Sequence, residues 1–124
     1  MTISLILAAV AAAIHGYIFV LEAFQFERPR TLAIFGVRRE SVAAIKPWAF
    51  NQGFYNLFLG IEVAMGIALV AFGQAVVGTT LVAFGCASMV AAAAVLIATD
   101  RAKLRPAMIQ GAAPLLALAA LLAS

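Results

Sequence analysis

The chain has 124 residues, 66% of them hydrophobic and 10% charged, whereas a soluble domain carries roughly 25% charge and under 50% apolar residues. Its mean hydropathy of +1.12 excludes an ordinary water-soluble domain and predicts a bilayer protein. The single cysteine, Cys86, excludes an intramolecular disulfide and a cysteine-rich zinc site, and the net charge of +3 lies between apolar runs, which points to membrane topology and lipid headgroups rather than nucleic acid.

The first apolar segment covers residues 2–26. Residues 1–14 contain no Lys or Arg and the apolar run continues past residue 20, so the reading is a retained span rather than a signal peptide. It carries His15 and Glu22, almost two helical turns apart and therefore on one face. Arg28-Pro29-Arg30 closes it. The loop that follows, ERPRTLAIFGVRRESVAAIK, holds Leu32, Ile34, Phe35, Val42 and Ile45, which can bury in the interface while the arginines face phosphates. A short helix is predicted from about Glu40 to Lys46, either lying on the membrane or capping the mouth of the bundle.

Lys46-Pro47 precedes the second segment, 48–72, which bears Asn51, Gln52, Tyr55, Asn56 and Glu62. Gly73-Gln74 marks a tight turn into the third, 75–99. Asp100 to Pro106 separates it from the fourth, 107–123. About 20 helical residues cross the hydrocarbon core, and about 17 is the minimum. The expected fold is all-α: a single domain, residues 1–124, of four transmembrane helices in an antiparallel bundle, with the short interfacial helix in the first loop.

All eight Lys and Arg lie in the two loops that a four-span chain puts on one face. The positive-inside rule then places those loops in the cytoplasm and both termini outside a plasma (inner) membrane. Phe24, Phe26, Trp48 and Phe50 would form the aromatic belt at that boundary. The polar groups concentrate in spans one and two, which argues against two equivalent halves.

Centring the spans on the bilayer stacks two polar layers. His15 and Glu62 fall near the midplane. Glu22, Asn51 and Gln52 fall about 12 Å towards the cytoplasm, with Asn56 a turn deeper and Gln110 of span four near the same end. Buried ionisable groups in a span are costly and mark function by default, so Glu62 is expected inside the bundle and hydrogen-bonded. Glu22 has a plainer alternative as an anchor for Arg28 or Arg30. Small residues recur every fourth position at Ala8-Ala12-Gly16, Gly60-Ala64-Ala68 and Ala83-Ala87-Ala91, a pattern that lets helices pack closely in lipid.

HGYIFVLEAF followed by KPWAFNQGFYNLFLG resembles the domain-of-unknown-function 1304 family of small membrane proteins. The carrying residues are His15, Tyr17, Ile18, Leu21 and Glu22, then Asn51, Gln52, Gly53, Tyr55 and Asn56, with Phe35-Gly36 in the loop. The resemblance covers about residues 10–62 and departs at Pro47-Trp48. It implies a four-helix membrane bundle and supplies no activity.

The leading functional expectation is an intramembrane site between spans one and two for a small lipophilic molecule. In it, His15 and Glu62 would be a proton-handling pair, and Tyr17, Glu22, Asn51, Gln52, Tyr55 and Asn56 would contact the ligand. Whether the chain is an enzyme is left open. No cofactor signature is present in the sequence. A small proton-coupled transporter, analogous in architecture to the small multidrug-resistance exporters, and a non-catalytic subunit or scaffold are the alternatives. Membrane lipid is the expected partner, and a homodimer is an open arrangement. One His and two carboxylates at different depths make a poor metal set.

Overall fold

The computed structural model describes residues 1–124. Helix α1 spans Thr2–Ala23, α2 Pro29–Phe35, α3 Val42–Ala71, α4 Ala75–Thr99 and α5 Leu104–Leu122. Four helical stretches are long and apolar enough to cross a membrane: Thr2–Ala23, Arg39–Ala71, Ala75–Thr99 and Arg101–Leu122. They run up and down around a square. α1 packs on α3 and α5, α4 packs on the same two, and the α1–α4 diagonal barely touches.

Each long helix carries apolar residues on its outer face as well as its inner one. Ile3, Ile6, Met65, Phe84 and Leu115 lie exposed on the outside, as lipid-facing residues do. Inside, the core is Ala8, Ala11, Val63, Val82, Cys86, Met89 and Ala117. Lipid tails are as apolar as leucine, so side-chain fit rather than water exclusion holds such a bundle.

Glycines set the helix spacing. A Cβ at Gly60 would lie 3.1 Å from the Ala12 carbonyl oxygen, and one at Gly53 would lie 3.1 Å from Glu22 Cβ. These two glycines, seven residues apart, fix the antiparallel register of α1 on α3. Gly66 and Gly78 bring α3 and α4 into backbone contact, where a Cβ on either would meet the other's carbonyl oxygen at 2.8 or 2.6 Å. Gly73, at φ +83°, then turns the chain between them. Of the three expected small-residue stripes, only Ala8-Ala12-Gly16 has no exposed member; Gly60 packs, but Ala64, Ala68, Ala87 and Ala91 are exposed.

The first loop differs from expectation. The short helix is α2, residues 29–35, not 40–46. Pro29 begins it with a preset φ, and Gly36, left-handed at φ +62°, ends it. Val42–Lys46 is instead the first turn of α3, which follows a 3-10 turn at Arg39–Ser41 and continues through Pro47. Pro47 is the sixth residue of α3, so it removes a single i→i−4 bond near the helix start and does not end the helix. α2 folds back over the bundle end, where Leu32, Phe26 and Ala49 form a second small core. Phe26 is thus only 5% exposed and is not part of the belt, whereas Trp48 and Phe24 are 75% and 68% exposed.

Candidate functional site

A cavity of about 740 Å³ lies at the end of the bundle that carries both charged loops. It is bounded by all four spans and roofed by the chain around Ile34–Val37. Its walls are mostly apolar, with Ile18 and Leu21 from α1, Leu59 from α3, Leu96 from α4 and Ile109 from α5. Polar side chains enter at a few points: Glu22, Asn51, Gln52, Asn56, Thr99, Lys103 and Gln110.

The central contact joins α1 to α3. Asn56 Nδ2 donates to Glu22 Oε2 at 2.9 Å and to the Gln52 carbonyl oxygen at 3.1 Å. Both acceptors lack a proton to give when Glu22 is ionised, so the pair fixes the orientation of the amide. Gly53, one helical turn before, removes the side chain that would otherwise push the two helices apart. Asn56 is buried, 5% exposed. Glu22 is therefore tied to Asn56 and not to Arg28 or Arg30. The ion pairs of the loop are Lys46 to Glu27 at 3.0 Å and Arg38 to Glu40 at 3.2 Å, both on the surface.

Lys103, in a 3-10 turn before α5, donates from Nζ to the carbonyl oxygens of Phe35 and of Gly36, the latter at 3.2 Å. A cation thus sits at the C-terminal carbonyls of α2, where an ammonium satisfies unpaired acceptors. This contact ties the roof to the third-to-fourth loop.

The site residues expected from the sequence divide into two groups. Tyr17, Glu22, Asn51, Gln52 and Asn56 line the cavity together with Gln110. Tyr55 is 59% exposed and lies outside the lining, as do His15 and Glu62. His15 is 1% exposed, and its Nδ1 donates to the Ala11 carbonyl oxygen at 2.9 Å, which places the proton on Nδ1. The Glu62 carboxyl carbon lies 3.6 Å from where Gly85 would carry a Cβ, so it faces α4 and makes no hydrogen bond to a protein group. The heights agree, since Gly60 lies beside Ala12 and His15. The faces do not, because Glu62 is two residues on from Gly60 and so about 200° round the helix. Thr99 and Lys103, and with them the wall from α4, were not foreseen, and of α5 only Gln110 was. Their position beside the second charged loop, at the level of Gln110, was the available signal.

The family model described as "Protein of unknown function (DUF1304)" matches residues 9–122. The chain belongs to this family. Membership in DUF1304 therefore reaches past the motifs of the first two spans to α4 and α5, which complete the cavity. No curated protein and no solved structure matches the chain. With its four long apolar helices, this DUF1304 member is a multi-pass membrane protein.

Proposed function

We propose that the cavity is an intramembrane binding site for a small lipophilic molecule, with its roofed end at the cytoplasmic face of the plasma (inner) membrane and both termini outside. The observation that carries this reading is the Glu22–Asn56 pair set into the wall of a mostly apolar cavity. A few fixed polar groups among apolar walls, in a volume of ~300–1,000 Å³, are the usual make-up of a small-molecule site. Glu22, Asn51, Gln52 and Asn56 would orient the polar end, with Tyr17 beside them. Any acid–base step falls to Glu22, the carboxylate that reaches the cavity, rather than to His15 and Glu62. Beyond the cavity, Ala11, Val63, Val82 and Met89 close the bundle, which favours binding over passage through one chain. Trp48 is the only tryptophan and lines the cavity. Its fluorescence, in protein held in nanodiscs, should respond saturably to dodecan-1-ol. A response that grows in proportion to added alcohol, as bulk partition gives, would overturn the reading.

A further inference from the structure

We infer that the ligand of this cavity is an amphiphile whose polar end is a protonated amine. The inference rests on the binding-site reading above and adds the chemistry of the headgroup.

Only two lining side chains are of the acidic or basic types, Glu22 and Lys103. The Lys103 ammonium is turned to the carbonyl oxygens of Phe35 and Gly36 at the roof. It makes no bond to Glu22. The Glu22 carboxylate receives one hydrogen bond, from Asn56 to Oε2, and Oε1 has no donor from the protein. Both N–H groups of the Asn56 amide are already engaged, with Glu22 and with the Gln52 carbonyl. What Asn56 leaves open is its own carbonyl oxygen, an acceptor. The Thr99 hydroxyl is likewise spent as a donor, on the Val95 carbonyl at 2.9 Å. The amides of Asn51, Gln52 and Gln110 offer donors and acceptors alike, so the group that discriminates between headgroups is the Glu22 carboxyl with its open Oε1.

A ligand that fits this wall brings donors and positive charge. A carboxylate or phosphate head would set like charge against Glu22. A hydroxyl brings a single donor. An ammonium brings three donors and the opposite charge, and hydrogen bonds between ionised partners are the stronger kind. Tyr17 and Trp48 add aromatic surface to the lining, and aromatic faces attract organic cations. The aliphatic walls from α1, α4 and α5 take the tail.

Native mass spectrometry of the purified full-length protein, offered equimolar dodecylamine, dodecan-1-ol and dodecanoate, tests this. The amine should be retained about tenfold over the alcohol, with dodecanoate weakest. Glu22→Gln should bring amine and alcohol close to parity, while Glu22→Asp, which keeps the charge, should keep the preference. Retention of the alcohol or of dodecanoate as well as the amine by the wild type overturns the headgroup inference and leaves the binding site standing. Retention of none of the three overturns both. If Glu22→Gln does not fold, the wild-type competition decides alone.

Discussion

Glu22 and Asn56 are the residues on which the site turns, and each depends on the other. A lone carboxylate this far into an apolar bundle would be left without a donor, since no arginine or lysine bonds it. Asn56→Leu is expected to destabilise the protein by about 1–3 kcal/mol, the usual cost of stranding a buried polar partner. A double-mutant cycle with Glu22→Leu, read by unfolding in SDS, should give a coupling of about 1 kcal/mol. Additive single effects would show that the 2.9 Å contact carries no energy. His15→Leu keeps the volume and removes only a bond to the helix's own Ala11 carbonyl, so Trp48 should still report saturable binding in that variant. Loss of binding would restore His15 to the site. The sequence placed these groups at their heights, because rise per residue is nearly constant along a helix. It paired His15 with Glu62 across the two helices, which their faces do not allow, because facing depends on which neighbour each helix chooses. Gly60 makes that choice for α3: it turns towards α1, and Glu62 is carried round to Gly85.

Among the elements, α2 and the α3–α4 hairpin are built by opposite means. α2 has seven residues, too few to hold as a helix alone. It stays because Leu32 packs on Phe26 and Ala49 and because Lys103 donates to its last carbonyl. Lys103→Met should leave the four spans intact and raise amide hydrogen exchange across residues 29–37. Unchanged protection there would mean that the small core alone holds the roof. The hairpin needs no such tie, since Gly66 and Gly78 put backbone directly on backbone. Gly78→Val adds atoms where a first carbon is already 2.6 Å from the Gly66 carbonyl. It should lower stability in SDS by about 1–3 kcal/mol, whereas Ala87→Val on the exposed side should change it little. Proline punctuation read well at Pro29 and poorly at Pro47, because the same ring that starts a helix is also tolerated in its early turns. Alanine spacing misled for a related reason: in chains this rich in alanine, small residues recur at helical intervals on faces that meet nothing but lipid.

At the scale of the whole molecule, hydropathy and the placement of every cation in two loops were enough to specify four spans and their alternation. The cavity was not legible as a four-helix feature. Composition does not say that α4 and α5 close against α1 and α3, and Lys103 read as one more topological charge until its partners were seen. The proposed orientation is open to direct measurement. In a Cys86→Ala background, a membrane-impermeant maleimide should modify Ser124→Cys in intact cells and modify Arg30→Cys only after the membrane is breached. The reverse pattern would invert the topology. Helix α3 has 30 residues, about 45 Å at the helical rise, against a hydrocarbon core of ~30 Å. In the proposed orientation its surplus length would emerge beside the roof, and the chamber would straddle the seam between lipid tails and water. An amphiphile gathered by the leaflet would already be waiting at that seam, concentrated and aligned, before it met the protein. Occupancy would then track the mole fraction of the compound in the surrounding lipid rather than its molarity in the buffer, and a modest intrinsic affinity would be enough to keep the chamber filled.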